Sequence, residues 1–261
     1  MRRPLIIAHR GASAYEKENT LAAFLLAEKM GADRVEMDVW ATLDKVFIVQ
    51  HSRRVRGLRR RRGKRGKRWV DQLTLAQIRK LTNQCLTLEK VLDRLVDSKL
   101  GLEIDLKNTG AENELVRLIK KKKIGKLTFK SNNGWQLAKL KNLMPFCQTV
   151  LYYERTDKWD VESRRWVKMI IFGIGFILSL PIKKILPRFL GRTITFGADG
   201  VSLYHRFCNQ KMVEDLHHEG VKVYIWGLEK ERHIKKVLKW RVDGMISKRL
   251  DLLRKLLISN D

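Results

Sequence analysis

Arg34-Val35-Glu36-Met37-Asp38-Val39, followed six residues later by Val46-Phe47-Ile48-Val49-Gln50-His51, is the stretch that decides the fold. Both runs are short, apolar and rich in β-branched residues, the mark of strands. A parallel crossover takes roughly a dozen residues or more. Residues 40–45 are too few, so the two strands form an antiparallel hairpin. With the turn centred on Leu43-Asp44, pairing sets His51 roughly opposite Glu36. Glu36 and Asp38, two apart on one strand, project from the same face. The hairpin therefore returns a distant histidine to a pair of carboxylates.

Outward from this hairpin, further strand-like runs fall at residues 5–8, 101–106, 126–129, 149–152, 200–203, 221–226 and 244–246. Helix-like segments separate them, such as 20–30, with Asn19 or Thr20 as N-cap and Gly31 beyond, and 111–122, with Gly125 beyond. Counting 34–39, eight βα repeats predict an α/β fold, a single (β/α)8 TIM-type barrel with a β-hairpin after its second strand. The 261 residues suit one domain, 1–261. Two insertions interrupt it. About 52–70 is nearly all Arg, Lys and Gly, too charged to pack. The other, about 157–195, contains an uncharged run at 169–182 flanked by bases such as Arg164, Arg165, Lys183 and Lys184. That run is shorter than the roughly 20 residues a membrane-spanning helix needs. It reads as an apolar membrane-facing insertion or, alternatively, as a core helix.

The formal net charge of +27 exceeds what solubility requires and points to anionic partners. Cys85, Cys147 and Cys208 are an odd set without close spacing, which argues against a disulfide framework and a zinc site. The apolar run at 5–8 is too short for the core of a signal peptide, so the expected location is cytoplasmic, peripheral or monotopic at the inner face of the membrane.

The chemistry gathers at strand ends. Glu103, Asp105 and Lys107 repeat the two-residue spacing of Glu36 and Asp38 on the next barrel strand. Clustered carboxylates repel unless a cation neutralises them, and oxygen-only ligands suit Mg²⁺ or Ca²⁺ better than zinc. Either Glu103 or Asp105 completes the ligand set with Glu36 and Asp38. His9 and His51 supply imidazoles near neutral pH, one to accept a proton and the other to protonate a leaving oxygen. Arg10 and Lys107 add positive charge where a phosphate would sit. Trp226 is read as lining the pocket or the core. Asn19 and Thr20 read as helix caps, Glu18 as facing the site, and His205, His217, His218 and His233 as surface or packing residues.

These residues form a recognisable series: His9-Arg10-Gly11, Glu18-Asn19-Thr20, Gly31-Ala32-Asp33 leading into Glu36-Met37-Asp38, His51, and Leu102 to Lys107. The series resembles the glycerophosphodiester phosphodiesterase family, and the likeness continues through Gly197-Ala198-Asp199-Gly200 and Val223-Tyr224-Ile225-Trp226 over nearly the whole chain. The resemblance implies a phospholipase C-like phosphodiesterase barrel that uses a divalent cation to cleave glycerophosphodiesters to glycerol 3-phosphate and an alcohol. It implies His9 and His51 as the acid/base pair, Glu36 and Asp38 as metal ligands, and Arg10 and Lys107 as phosphate contacts. It sets Asp105, where the family usually has glutamate, at the third ligand. The chain departs from the family at Lys17, where a proline is usual, at Ser52, where an aspartate follows the second histidine, at Gly227, and at Ser247-Lys248.

Both insertions follow strand ends and so belong to the face that carries the site. A shared basic and apolar face predicts docking on an anionic membrane, with a glycerophosphodiester or lysophospholipid as substrate; no motif calls for a specific nucleic acid. The competing reading is a barrel that binds anionic lipid and, lacking an aspartate at Ser52, turns over little or nothing.

Overall fold

A computed structural model of the chain describes residues 3–55, 69–152, 193 and 195–258. Its strands are β1 (Leu5–Ala8), β2 (Arg34–Ala41), β3 (Phe47–Val49), β4 (Gly101–Leu106), β5 (Leu127–Ser131), β6 (Gln148–Tyr152), β7 (Gly200–Tyr204), β8 (Lys222–Trp226) and β9 (Gly244–Ser247). All except β3 are parallel to their neighbours, and β1 pairs with both β2 and β9, so eight strands close into a TIM-type barrel. The helices are α1 (Leu21–Lys29), α2 (Leu75–Leu81), α3 (Leu88–Leu95), α4 (Glu112–Lys121), α5 (Gly134–Leu143), α6 (Gln210–His218), α7 (Glu231–Leu238) and α8 (Leu250–Ile258). Side-chain caps start several of them: Thr20, Thr87, Asn133 and Asn209 each accept a backbone N–H from the first turn, and Thr74 with Gln77 makes a capping box.

Alternation along each strand sorts side chains to two sides of the barrel wall. Val35, Met37 and Val39 of β2, Leu102, Ile104 and Leu106 of β4, and Val223 and Ile225 of β8 pack outward against helical residues such as Phe24, Leu115, Val213 and Ile234. Their even- or odd-numbered neighbours face the lumen. There Ile7, Val150, Tyr224 and Ile246 form a separate apolar cluster.

The hairpin differs from expectation by one residue. β2 pairs β3 as Val39–Val49, Trp40–Ile48 and Ala41–Phe47, so the position facing His51 is that of Met37 rather than Glu36. The cause is the turn: Thr42 accepts from Lys45 N, donates its own N–H to Val46 O, and Lys45 is left-handed at φ 60°. That makes a three-residue loop, Leu43-Asp44-Lys45, in place of a two-residue one. β1 pairs with β2 only at Arg34 and Val35, and β4 occupies the other edge of β2. The edge that β1 leaves free is the one β3 takes, which brings Gln50 and His51 back toward the end of β1.

Residues 56–68 and 153–192, with the sequence expectations placed on 169–182 and most of both insertions, lie outside the described residues. The basic stretch leaves and returns at one point, where Arg54 bridges Trp69 and Arg53 makes two hydrogen bonds to Asp71. Among the described residues no helix is long and apolar enough to cross a membrane. The three cysteines are free.

Candidate active site

At the end of β1 the chain turns sharply across the barrel mouth. Arg10 (φ 58°) and Gly11 (φ 82°) are both left-handed, and a Cβ at Gly11 would lie 2.6 Å from that of Ala23, so only glycine fits. The turn aims Arg10 inward. Its N–H donates to Glu36 Oε2 (2.9 Å), its Nη1 donates to Glu18 Oε2 (3.0 Å), and its Nε lies 3.0 Å from Asp38 Oδ2. Glu18 thus faces the site through Arg10.

Asn19 does something other than cap. It is fully buried and left-handed (φ 55°), a conformation asparagine tolerates better than most residues. Its Nδ2 donates to Asp38 Oδ2 at 2.8 Å and its Oδ1 accepts from Asp38 N at 3.1 Å. Thr20, with extended backbone, is the cap of α1. Asn19 therefore holds a carboxylate in place, and the helix-cap expectation is corrected for it.

Parallel register sets β2 and β4 side by side with Glu36 level with Glu103 and Asp38 level with Asp105. Oxygen atoms of Glu36, Asp38 and Asp105 all lie within 4.8 Å of one another, and all three residues are buried. Lys107 Nζ is 2.7 Å from Asp38 Oδ1 and donates to Asp105 Oδ2. Asp105 Oδ1 finds no hydrogen-bond partner among the described residues. An all-oxygen, buried donor set with an unpartnered oxygen fits a hard divalent cation. Glu103 is outside this group. It is fully buried, with neither carboxylate oxygen hydrogen-bonded among the described residues, and the Lys130 ammonium lies 4.0 Å away. Lys130, on β5 level with Asp105, and Tyr152, whose ring lies 5.4 Å from Lys107 Nζ and 5.7 Å from Lys130 Nζ, join the site although neither was singled out in the sequence. The signal for Lys130 was available: it stands at the end of a barrel strand beside the Asp105 strand.

The charges shape one another. Burial and the adjoining Asp38 carboxylate push Glu36 up to about 8, and burial raises Asp105 as well, against the pull of Lys107. At Asp38 the effect of burial is outweighed by His51, Lys107 and Arg10, so its carboxyl is held well below the ordinary range. Burial alone would lower Lys107, but Asp105 and Asp38 hold it well above its usual value. Burial and the cations of Arg10 and Lys130 keep His9 well below an ordinary imidazole. Carboxylates driven in opposite directions within one cluster are a sign of crowded negative charge.

His51 is half exposed, and its Nδ1 stands 3.4 Å from Asp38 Oδ2. A carboxylate is therefore beside the ring despite Ser52, whose Oγ accepts from Arg54 N instead. Trp226 is half-buried on the lumenal side, packed against the inner apolar cluster and tilted onto Tyr204 at 4.6 Å. The other histidines lie elsewhere: His205 stacks on His233 at 4.1 Å and His217 pairs with Asp243 at 2.8 Å.

A parallel barrel with buried carboxylates that could hold a metal ion, two imidazoles and several cations at the C-terminal ends of its strands is an arrangement suited to an anionic phosphodiester. The chain belongs to the glycerophosphoryl diester phosphodiesterase family, which matches residues 9–252 and whose members are phosphoric diester hydrolases dependent on a divalent cation. Bacillus subtilis YhdW, provisionally assigned as a glycerophosphodiester phosphodiesterase, is 29% identical over 96% of each chain. Human lysophospholipase D is 23% identical over 92% of this chain and 82% of its own. An Oleispira antarctica phosphodiesterase solved with its product sn-glycerol-3-phosphate superposes with a TM-score of 0.70, covering 98% of this chain and 97% of that one at 20% identity, a likeness of fold.

Proposed function

We propose that this chain hydrolyses glycerophosphodiesters to glycerol 3-phosphate and an alcohol at an anionic membrane surface. The observation that carries the reading is the convergence of Glu36, Asp38 and Asp105 within 4.8 Å, with Arg10 and Lys107 in contact with it. Glu36, Asp38 and Asp105 would hold Mg²⁺ or Ca²⁺, which when bound polarises a phosphoryl oxygen. Arg10 and Lys107 bind the phosphate oxygens, and Trp226 lines the side on which the glycerol rests. His9 and His51 divide the proton transfers: one accepts the proton of the attacking water, whose oxygen ends on the phosphate, and the other gives a proton to the departing alkoxide. His51, with Nδ1 3.4 Å from Asp38 Oδ2, keeps Nε2 for that transfer. The lysophospholipase D relative supports lysophospholipids as a further substrate class, because the same diester carries an acyl chain on its glycerol side. The basic and apolar insertions support the membrane surface.

The test is release of glycerol 3-phosphate from glycerophosphocholine and glycerophosphoglycerol, and of lysophosphatidic acid from lysophospholipids, with Mg²⁺ or Ca²⁺ and then with EDTA. Hydrolysis that EDTA abolishes is expected, and His9→Ala and His51→Ala should each lower turnover at least about 100-fold. No cleavage of any diester, with vesicle binding intact, would move the assignment to a lipid-binding barrel.

A further inference from the structure

Five large apolar side chains stand exposed on the connections that follow strand C-termini: Tyr15 after β1, Leu43 at the β2–β3 tip, Trp69 before α2, Trp135 in the first turn of α5, and Phe207 after β7. Because the barrel strands are parallel, all five belong to the end that holds the carboxylates. Trp135 is 76% exposed, with an edge contact to Phe196 at 5.2 Å. The five stations follow the first, second, fourth and sixth barrel strands, so they are spaced around the mouth rather than gathered on one side. Among the described residues, the opposite end exposes Val96, Phe146 and Ile258, with no tryptophan or tyrosine.

Tryptophan and tyrosine favour the boundary between water and lipid, because the ring is apolar and its N–H or O–H still finds a partner. Side chains spaced around a circle meet a flat surface together, whereas a single nucleic-acid strand would reach only some of them. The charge is complementary as well. Arg53 and Arg249 are neutralised by Asp71 and Asp251, but exposed Arg206 adjoins Phe207. Between Val55 and Trp69, both at this end, the chain has nine arginines and lysines and no acidic residue.

We propose that the barrel mouth rests on an anionic bilayer, with Tyr15, Leu43, Trp69, Trp135 and Phe207 as the ring of side chains that enters the headgroup layer. Substrate head groups then reach Glu36, Asp38 and Asp105 from the lipid side. This contact rests on the phosphodiesterase reading above and names the side chains that make it.

The experiment is co-sedimentation of the full chain with vesicles of phosphatidylcholine containing phosphatidylglycerol, at low salt and at about 0.5 M salt, where charge attraction is screened and apolar burial is not. Trp135→Ser/Phe207→Ser is expected to lose at least about fivefold in partitioning at high salt, while turnover of soluble glycerophosphocholine stays within about twofold of wild type. Trp135→Phe, which keeps an apolar ring, should bind nearly as wild type, and Phe146→Ser, at the other end, should change nothing. Wild-type partitioning by the double serine variant, or an equal loss in Phe146→Ser, overturns the ring while leaving the membrane reading in place. Loss of single-stranded oligonucleotide binding in the double variant with vesicle binding unchanged also overturns it. Wild-type protein that ignores these vesicles at every salt overturns both, and soluble turnover then tells whether the phosphodiesterase reading survives.

Discussion

Across the barrel lumen, β2, β4 and β5 present Glu36, Asp38, Glu103, Asp105 and Lys130, while β1, β6, β8 and β9 present Ile7, Val150, Tyr224 and Ile246. Both sides are buried, yet they are held by different physics. The apolar side is stabilised by burial and close packing. The charged side is costly, since buried ion pairs are often outdone by apolar residues of the same volume. Its retention is therefore an argument for chemistry rather than for stability. The apolar wall also serves the charged one: it excludes water and leaves the charges opposite less screened.

The largest effect should come from breaking the deepest pair on the charged side. Lys130→Met leaves Glu103 buried without a counter-charge and should cost about 3–5 kcal/mol of stability. Adding Glu103→Gln should recover most of that loss. Urea unfolding of the two single variants and the double variant decides the matter. A Lys130→Met variant within about 1 kcal/mol of wild type would mean that the pair does not hold this side of the barrel.

Next in size is a dependence on pH. Glu36 has its folded pKa raised to about 8 from an ordinary 4.5, so the folded protein keeps a proton that the unfolded chain gives up. The Glu36 contribution to stability is then fullest below about 4.5 and falls as pH rises toward 8, by up to about 1.4 kcal/mol per pH unit. Below about pH 6.5 the depressed His9 and His205 act in the opposite sense, so in EDTA the melting temperature should drop between pH 7 and pH 8, and Ca²⁺ or Mg²⁺ should flatten that drop. A melting temperature that climbs over the same range in EDTA would contradict the crowding of charge around Glu36.

Much of the charged side could be read before any coordinates. Glu36, Asp38, Asp105 and Lys107 are two-residue repeats on strands, and period-two alternation alone sends them to one face. The barrel was legible for the same reason, since its strand runs are separated by helical segments with plain cap and stop signals such as Thr20 and Gly31. What was not legible depends on three-dimensional closure. The role of Asn19 required knowing that the loop after β1 folds back over β2. Tyr152 required lateral strand register, and the one-residue error at His51 came from a turn whose left-handed residue is Lys45 rather than the glycine or asparagine that usually announces it. The apolar side drew no notice, because Ile7, Val150 and Ile246 look the same whether they face helices or lumen.

That apolar side supplies the smallest expected effect and the sharpest check on the division. Ile246 lies on β9, buried among Ile7, Tyr224 and Val150, with Trp226 at the edge of the same cluster. Ile246→Val removes one methyl group from a packed wall, which typically costs about 1 kcal/mol through lost burial and a small residual void. No ionised group depends on that methyl for a partner, so turnover of glycerophosphocholine should stay within about twofold of wild type while urea unfolding shows the small loss. The ratio of the two changes is what matters. If Ile246→Val lowered turnover more than about tenfold with stability nearly intact, the methyl would be shaping the substrate pocket, and the lumen could no longer be divided into one side for chemistry and one for packing.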